Sequence, residues 1–424
     1  MTATPLKVAL LGVNAVGYQS LALGYLRAFA QADQRLAGRV AFQTLDLDVS
    51  VDPWWIAWRL LALEPEVVAV STMCWNARHV FEVCRILKGA RPQIVIVLGG
   101  PEVGPISEEV LAKHPEIDVI VRGEGEVTFA ELLYALTRER SPWRVDGVTA
   151  RDDDGRIVAA PERGLISDLD DIPSPYLSGL LVPRDGGAYL ETYRGCPHRC
   201  AYCFEGKGYS RIRSFSQQRV EAEIAAVAGT PGIHAFSFID PVFNLTPDRL
   251  AWLADAMAPF VASGTRLHTI EVDIERCDPV VAAQLVRAGV ASVETGPQTI
   301  GPRGLDACNR AFDRERFAAG VLALRAQGIS VECDFIVGLP GDDVYDFLAG
   351  LGFVLGLDPG VVQTSTLHVL PGTVLWERAA ELGLVYDAEP PHELVSTDDV
   401  GYMDLRRAEV FGTALQRAYR ARIR

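Results

Sequence analysis

The feature that most constrains this chain is a group of three cysteines within eight residues. Cys196, Cys200 and Cys203 lie in the run TYRGCPHRCAYCF with the spacing C-x3-C-x2-C. Thiolates are the ligands that hold 4Fe–4S clusters. Three thiolates from one loop leave one iron of such a cluster without a ligand from this loop. The spacing therefore predicts an iron–sulfur cluster with an open coordination site, where a small molecule can be chelated and receive an electron.

Two other interpretations of these cysteines are weaker. A structural zinc ion needs four ligands, and His198 could be offered as the fourth. It lies inside the same loop with poor reach, and no second C-x2-C pair exists. Chance clustering is the other alternative. The remaining cysteines are scattered and are interpreted as small buried residues in a reducing compartment: Cys74, Cys84, Cys277, Cys308 and Cys333.

Length, hydropathy and charge limit the classes of function. The chain has 424 residues, of which 49% are apolar, so the length favours about three domains with substantial cores. No apolar run approaches the ~18 residues of a membrane span, and the opening MTATPLKVALLGV is too short in its apolar part for a signal peptide. We expect a cytoplasmic protein that contacts no membrane. A net charge of −15 without a basic block argues against a nucleic-acid partner and favours a small-molecule or carrier-bound substrate.

Residues 6–135 alternate short apolar strands with helical stretches, which predicts a doubly wound, Rossmann-like α/β domain. The strands read KVALLGV, VAFQTLDLD, VVAVST, IVIVLGG and DVIVRG. Ligands of open α/β sheets bind at the carboxyl ends of strands, so the loops that follow these strands should meet in one crevice. Gly99, Gly100, Gly123 and Gly125 permit close approach of the backbone to a bulky flat ligand. Such loops alone are compatible with many ligands and signalling partners.

Three of these loops resemble, in the same order, those of the cobalamin-binding domain that precedes many radical S-adenosylmethionine (SAM) barrels. That family has S-x-x-x-W-N, LGGPE and RGEGE after successive strands, here Ser71–Asn76, Leu98–Glu102 and Arg122–Glu126. The cysteine loop, with Tyr202 before its third cysteine, resembles that of the radical SAM superfamily. The resemblance implies a cobalamin-dependent radical SAM enzyme, with the Rossmann-like domain followed by a partial (βα)6 barrel.

The same resemblance implies which residues contact cobalamin. The expected contacts are Asn14, Tyr18, Ser71, Thr72, Met73, Cys74, Trp75, Asn76, Gly99, Gly100, Pro101, Glu102, Gly123, Glu124, Gly125 and Glu126. The aspartate-x-histidine motif that ligates cobalt in other cobalamin proteins is missing, so the loop around Thr72, Met73 and Cys74 is expected to meet the lower face of the corrin. Cys74 is interpreted as a structural cysteine rather than a cobalt ligand. Trp54, Trp55 and Trp58 have helical spacing and are interpreted as packing or domain contacts.

Four segments are predicted along the chain. They are a cobalamin-binding domain at 1–140, a hairpin and linker at 141–185, a radical SAM partial barrel at 186–385 and a C-terminal tail with a helical cap at 386–424. VDGVTARDDDGRIVAAP predicts the hairpin, and ISDLDDIPSPYLSGLL resembles the LDxIPxPY linker of the same family. The six barrel strands are expected in AYLETYR, AFSFID, HTIEVDI, ASVETGPQ, SVECDFIVGLP and VVQTSTLHVLPGT.

The carboxyl-terminal rim of the barrel is expected to bind SAM. The resemblance implies contacts from Tyr202, Asp240, Asn244, Glu294, Gln298, Ile336, Gly338 and Leu339. Of these, Asp240 and Asn244 are expected at the amino group or ribose of SAM, and the last three beside adenine, where a hydrophobic residue displaces the family's first glycine. Glu271 and Asp273 are either site residues or hydrogen-bonded strand ends. His392 in the tail is a further candidate, although lone histidines are usually structural.

The resemblance implies C-methylation of an unactivated carbon. A 5′-deoxyadenosyl radical generated at the open iron would abstract hydrogen from the substrate, and methylcobalamin would then supply the methyl group. An external one-electron reductant of the flavodoxin or ferredoxin type is the implied partner. The alternatives are a rearrangement, oxidation or cyclisation without methyl transfer, and a non-enzyme that carries electrons or senses cobalamin. An RNA methylthiotransferase is less compatible, because that family has three further cysteines in its front domain, where this chain has Cys74 and Cys84.

Overall fold

The computed structural model describes residues 4–138, 140–205 and 211–422. The chain divides into two compact units, with the boundary between Ala188 and Tyr189. Across the described ranges, no helix is both long enough and apolar enough to cross a membrane.

The first unit is built on one seven-stranded sheet. Its strands are β1 (Leu6–Asn14), β2 (Val40–Asp48), β3 (Val67–Ser71), β4 (Val95–Gly99), β5 (Val119–Val121), β6 (Val148–Arg151) and β7 (Ile157–Ala159), in the spatial order β2-β1-β3-β4-β5-β6-β7. The first five strands are parallel, and the last two are antiparallel. The predicted doubly wound sheet is confirmed, and the predicted hairpin forms and joins it as β6 and β7.

Helices cover both faces of this sheet because its strands are apolar on both sides. They are α1 (Leu21–Ala32), α2 (Pro53–Ala62), α3 (Ala77–Ala90), α4 (Ser107–Lys113) and α5 (Gly125–Leu136). Alternate residues of one strand enter different cores: Val68 packs on the α2 and α3 side, and Val67 on the α1 and α5 side. The parallel register brings the carboxyl ends of β1, β3, β4 and β5 to one edge of the sheet.

The three tryptophans of α2 do not pack as the sequence suggested. The helix forms, but Trp54, Trp55 and Trp58 are 60%, 46% and 62% exposed. The buried face of α2 consists instead of smaller residues such as Ile56 and Leu60. Guanidinium groups lie over two of the indole rings, Arg85 over Trp54 and Arg59 over Trp55. These tryptophans therefore do not pack in the core of the unit, and a domain contact remains the prediction for them.

The second unit is a partial barrel followed by a helical tail. Its strands are β8 (Tyr189–Leu190), β9 (Tyr193–Arg194), β10 (Arg213–Ser214), β11 (Ala235–Phe238), β12 (Arg266–Leu267), β13 (Ile270–Glu271), β14 (Ser292–Gln298), β15 (Ser330–Val337), β16 (Val361–Thr366), β17 (Val385–Tyr386) and β18 (Leu394–Ser396). Parallel pairing runs β8-β11-β12 and β13-β14-β15-β16. Each of the six predicted barrel segments contains a strand; in the third, β13 lies within the predicted residues and β12 ends just before them.

The helices of this unit begin at polar caps. They are α6 (Gln217–Ala228), α7 (Pro247–Ala262), α8 (Pro279–Arg287), α9 (Pro302–Ala307), α10 (Arg314–Ala326), α11 (Val344–Gly356), α12 (Val374–Glu377) and α13 (Tyr402–Arg422). The N-cap side chains of α6, α7, α8, α10 and α11 accept hydrogen bonds from the first turn, from Ser216, Thr246, Asp278, Asp313 and Asp343 respectively. These caps fix where each loop ends above the carboxyl rim of the barrel.

Candidate functional site

In the first unit, the loops after β3 and β4 form one continuous backbone surface. The Thr72 amide donates to Gly99 O at 2.7 Å, and the Glu102 amide donates to Thr72 O at 3.4 Å. Gly100 has φ +111°, and a Cβ at this position would lie 2.4 Å from Thr72 O. Only glycine permits that approach. The glycine pair therefore brings the two predicted loops together at the carboxyl edge of the sheet.

Two asparagines of the predicted site hold the strand ends in place. Asn76 is 2% exposed; its Nδ2 donates to Val13 O at 2.9 Å and its Oδ1 accepts from the Met73 amide at 2.8 Å. Asn14 donates to Asp46 Oδ1 at 2.6 Å and to Leu47 O at 3.0 Å. These amides shape the loops, whereas Tyr18 and Trp75, at 38% and 48% exposed, are accessible at the edge.

In the RGEGE loop after β5, some side chains anchor other segments of the unit, and part of the backbone is accessible. The Arg122 guanidinium donates to Ala160 O, and Glu124 accepts from the Ile166 amide at 2.8 Å, so both side chains anchor later parts of the unit. Glu126 and Glu102 are buried, at 4% and 3% exposed. Gly123 has φ +68° with open space where a Cβ would stand. The backbone around Gly123 is thus the accessible part of this loop.

These loops fit a corrinoid. Thr72 Oγ1, just after β3, is buried and has no hydrogen-bond partner in the part of the chain that the structure describes, which leaves a donor and acceptor for a ligand amide. Burial raises the pKa of the Cys74 thiol, which opposes a cobalt-bound thiolate. His79 lies in the helix that follows this loop, and its Nε2 is 2.6 Å from Val51 O. This edge of the sheet therefore presents neutral polar groups and glycine backbone to a ligand.

The second unit has a half-open cavity of about 740 Å³ that is lined by all three cysteines of the motif. Cys196, Cys200 and Cys203 line it together with Tyr202 and side chains from β13, β14 and β15. The Cys203 amide donates to Cys200 O at 3.1 Å, which tightens the loop into a turn. The three cysteines therefore line one cavity, and their role as cluster ligands stays a prediction.

A segment from the end of α9 supports the cysteine loop. The Ala201 amide donates to Cys308 O at 2.9 Å, and Asn309 Nδ2 donates to Arg199 O at 3.0 Å. Arg310 Nη1 lies 3.3 Å from Cys200 Sγ and 3.2 Å from the Tyr202 hydroxyl, and Nη2 donates to Gly296 O. A half-buried guanidinium is therefore fixed beside the thiols, a feature that the sequence did not reveal.

The thiols fit a multi-iron cluster better than a single ion. No group of three or more histidine, cysteine, aspartate or glutamate side chains in the described part of the chain could hold one metal ion, which speaks against the zinc site with His198. A cluster takes one thiolate at each of three irons and so needs no common centre. Burial raises the pKa of Cys196 and of Cys203 to about 11. Both thiols therefore need a bound cation such as iron to ionise at neutral pH.

Three of the residues predicted to contact SAM line this cavity: Tyr202, Glu294 and Gln298. Gln298 has φ +63°, an uncommon conformation for a residue other than glycine, next to an irregularity in the β14 and β15 pairing. A Cβ on Gly296 would come within 2.7 Å of Gln298 Nε2, so glycine makes room for this side chain. Local backbone strain in a cavity wall is typical of functional sites.

Asp240 and Asn244 point away from the cavity. Asp240 is 2% exposed; it accepts from the Thr192 amide at 2.8 Å and forms a 2.5 Å ion pair with Arg249. Asn244 donates to Asp273 O and accepts from its amide, each at 2.9 Å. A polar residue after a strand can turn into the core as readily as into the mouth of the barrel. Both residues support the cavity wall and lie outside its lining.

The predicted adenine segment also lies outside the lining of this cavity. Leu339 is fully buried, and a Cβ on Gly338 would lie 2.3 Å from Leu394 and 3.0 Å from Leu405. Gly338, with φ +89°, thus allows close packing against β18 and α13. Ile336 is half-buried on the same face of β15 as Asp334. His392 is 1% exposed, packs on Trp376, and its Nδ1 lies 3.2 Å from Asp387 O, in a structural setting.

The cavity lining contains the predicted candidates Glu271, Asp273 and Glu294 and also Asp334, which the sequence analysis missed. Asp273 is paired with Arg276 at 3.1 Å and with His198 at 3.5 Å. Burial and the nearby Glu294 raise the pKa of Glu271 to about 7, and they also raise the pKa of Asp334. The sequence does contain a signal for the carboxylates of β15. Glu332 and Asp334 alternate with buried apolar residues, so both carboxylates must lie on the face of the strand opposite to those residues.

Comparisons with known proteins agree with two cofactor-binding domains. Residues 18–133 match the B12 binding domain family and residues 190–351 match the Radical SAM superfamily. An uncharacterized methyltransferase of Pyrococcus horikoshii is 28% identical over 74% of this chain and 70% of its own. The cobalamin-dependent radical SAM methyltransferase TokK of Streptomyces tokunonensis is 28% identical over 82% of this chain, which spans about half (53%) of TokK.

A relative with another named activity is also similar. The anaerobic magnesium-protoporphyrin IX monomethyl ester cyclase of Rubrivivax gelatinosus is 26% identical over 86% of this chain and 66% of its own. Among solved structures, the radical SAM methyltransferase TsrM of Kitasatospora setae, with cobalamin and a 4Fe–4S cluster bound, has a TM-score of 0.72 at 20% identity. That alignment covers 91% of this chain and 78% of TsrM, and it supports the fold.

Each domain match falls within one of the two units. The residues of the first unit fit a corrinoid, and the thiols of the second fit an iron–sulfur cluster beside a cavity. The chain belongs to the cobalamin-dependent radical SAM enzymes, whose cofactors are a 4Fe–4S cluster, SAM and cobalamin.

Proposed function

We propose that this enzyme is a C-methyltransferase that acts on an unactivated carbon of a small-molecule or carrier-bound substrate. The observation that carries the proposal is the pairing, in one chain, of a corrinoid-compatible loop edge with a cavity of about 740 Å³ lined by three cysteines. Similarity to proteins named as methyltransferases supports it. When bound, the cluster and SAM supply hydrogen abstraction from an unreactive carbon, and cobalamin supplies a transferable methyl group.

Within the cavity, Cys196, Cys200 and Cys203 would hold the cluster. Their loop is fixed by hydrogen bonds from Asn309 and Arg310, so the three thiols keep their spacing before the cluster is assembled. A preformed loop lowers the ordering cost of binding. The proposed reductant is an external one-electron carrier of the flavodoxin or ferredoxin type.

Charged groups beside the thiols would orient SAM. Arg310 is a half-buried cation that lines the cavity beside the thiols and would bind the SAM carboxylate, because a guanidinium pairs well with a carboxylate. Glu271 lies close enough to Cys196 to raise the pKa of that thiol, and it would accept the SAM ammonium group. Gln298 and Tyr202 would contribute neutral hydrogen bonds.

In the first unit, the corrin would lie against the backbone of the Ser71–Asn76, Gly99–Glu102 and Gly123–Glu126 loops. Thr72 Oγ1 would hydrogen-bond one of its amide side chains, since the hydroxyl is buried and no described residue hydrogen-bonds it. Met73 and Cys74 are half-buried and would face the lower side of cobalt without a histidine ligand.

A second candidate function is cyclisation or oxidation without methyl transfer. It is favoured by the similarity to the magnesium-protoporphyrin IX monomethyl ester cyclase, which extends over 86% of this chain. The same corrinoid loops and thiol cavity are compatible with it.

The decisive experiment follows the methyl group of SAM. The reconstituted enzyme is supplied with reductant, candidate substrates and SAM carrying a deuterated methyl group. We expect the product to contain the deuterated methyl group on carbon. A product that forms with SAM cleavage but without the label would contradict methyl transfer and favour the second candidate.

A further inference from the structure

Three glutamates stand in one row across neighbouring barrel strands. In the parallel register, Glu271 of β13 pairs with Glu294 of β14, and Glu294 pairs with Glu332 of β15. In-register residues of a parallel sheet point to the same face, on strands about 4.8 Å apart. Asp334 follows Glu332 by two residues and so shares that face. Like charges directly opposite one another on neighbouring strands are destabilising. A fold that keeps these four carboxylates together therefore needs another group to stabilise them.

Within the described residues, only the negative charge of Glu332, at the outer end of this row, has a nearby cation. Glu332 lies 3.6 Å from Arg420, and it is absent from the cavity lining. Glu271, Glu294 and Asp334 all line the cavity, and within the described ranges none of the three forms an ion pair with a lysine or arginine. The Arg310 guanidinium is engaged with Cys200, Tyr202 and Gly296. The excess negative charge therefore faces the ligand space.

Glu294 and Asp334 form the centre of that excess charge. Asp334 lies diagonally across from Glu294 on the neighbouring strand, and burial together with the Glu294 carboxylate raises the pKa of Asp334. Among the residues that the structure describes, the buried Asp334 Oδ1 has no hydrogen-bond partner. A buried acceptor of this kind in a cavity wall is expected to accept a hydrogen bond from a ligand.

SAM alone does not account for these groups. Its one ammonium group is assigned to Glu271 by the proposed function, and its carboxylate to Arg310. Its sulfonium has no N–H donor and its ribose hydroxyls are neutral, so SAM brings no second charged donor for Glu294 and Asp334. A metal ion is also a poor occupant, since no three acidic, histidine or cysteine side chains of the described residues are arranged to hold one. What remains is a second organic ligand with a donor-rich cationic group. Val242, Val272 and Phe312 line the same cavity and provide an apolar wall for the rest of it.

We propose that Glu294 and Asp334 bind a basic nitrogen of the substrate, so that the substrate is an organic cation with an apolar body. The inference rests on the proposed function, because it places the substrate beside SAM in one cavity. It also moves Glu294 from the SAM contacts to the substrate contacts. An ammonium or amidinium group supplies both charge and N–H donors, which hydrogen-bonded carboxylates bind more strongly than they bind neutral groups.

The test uses three probes with one skeleton and different charges: 2-phenylethylamine, 2-phenylethanol and phenylacetate. Each is titrated calorimetrically into the anaerobic enzyme with cluster and SAM bound and without reductant. We expect the amine to bind at least about tenfold more tightly than the alcohol, and phenylacetate to bind most weakly. In Glu294→Gln and Asp334→Asn, the preference for the amine should fall about tenfold while SAM affinity is kept. Glu332→Gln is the matched control and should retain the preference.

The outcomes separate this inference from the proposed function. Failure of the wild-type enzyme to bind SAM would contradict the proposed function. Normal SAM binding without any preference for the amine, or with a preference that persists in both variants, would overturn the inference alone. A parallel loss of SAM affinity in both variants would assign the pair to SAM and would also overturn it.

Discussion

The two units hold their candidate sites by different physical means. In the first unit, glycines and backbone hydrogen bonds shape the edge, as where Gly100 allows contact with Thr72, and most charged side chains there are buried or anchor other segments. In the second unit, thiols, a half-buried guanidinium and carboxylates of neighbouring strands line a half-open cavity. A bulky flat ligand needs surface and close approach, whereas a small charged ligand needs fixed charges in a dry space. We therefore expect a substitution that adds bulk to impair ligand binding at the first site. A substitution that changes charge should impair ligand binding at the second site.

The largest expected effect comes from removing cluster thiols. Replacement of Cys196, Cys200 and Cys203 by alanine should reduce iron from about four per chain to near zero, because these thiolates are the protein ligands in the proposed site. Corrinoid binding should persist, since the first unit has its own core. Metal analysis and corrinoid absorbance after anaerobic reconstitution and gel filtration measure both sites in one sample.

Cys308→Ala is the matched control for this experiment. Its thiol lies near Cys200 but is outside the motif and buried. The control should retain iron. Iron retained by the triple variant, or lost equally in the control, would contradict the assignment of the three cysteines as cluster ligands.

Gly100→Ala tests the steric character of the first site. The new Cβ would lie 2.4 Å from Thr72 O at φ +111°, so the two loops must separate. Strain of this kind costs about 1–3 kcal/mol, and we expect corrinoid affinity to fall at least about tenfold. Gly38→Ala has a comparable positive φ of +68° with open space around it, and it should bind corrinoid normally. Spectroscopic titration compares them, and equal affinities would show that the close approach is irrelevant.

Arg310→Lys tests the charge character of the second site. Lysine keeps the positive charge but loses the planar fork that contacts Cys200, Tyr202 and Gly296. SAM affinity should fall about tenfold while iron content is kept. Arg316 also lines the cavity but is largely exposed, so Arg316→Lys should bind SAM like the wild type. Unchanged SAM affinity in Arg310→Lys would remove this residue from the proposed site.

The smallest effect concerns pH. Burial and the surrounding carboxylates raise the pKa of Asp334 above its ordinary value of 3.8, so the folded protein holds this proton more tightly than the unfolded chain does. Stability from this group is complete at low pH and is lost as the pH rises towards the folded pKa. Asp334→Asn should therefore gain about 1 kcal/mol relative to wild type between about pH 5 and about pH 8. Thermal unfolding of both proteins at each pH checks the sign, and a gain confined to acid would contradict it.

Most of the fold could be predicted because its signals are local. The apolar runs from β1 to β5 and the glycine pair after β4 specify strands and loops within a few residues of themselves. The cysteine loop is likewise contained in one segment. These features needed no knowledge of what packs against them.

The charged half of the site depended on distant parts of the chain. Arg310 reaches Cys200 from 110 residues away, and the carboxylate row arises from the register of strands separated by helices. Asp240 looked like a rim residue, but the partner that turns it inwards, Arg249, lies on the following helix. Sequence patterns give the types of these residues but do not give register or side-chain direction.

The most direct test of the account is the ratio of SAM-derived by-products during turnover. Radical generation at iron and methylation of the corrinoid are separate uses of SAM. With a true substrate and reductant, we predict 5′-deoxyadenosine and S-adenosylhomocysteine in nearly equal amounts, together with a methylated product. Methylated product with S-adenosylhomocysteine and no 5′-deoxyadenosine would contradict hydrogen abstraction from an unactivated carbon.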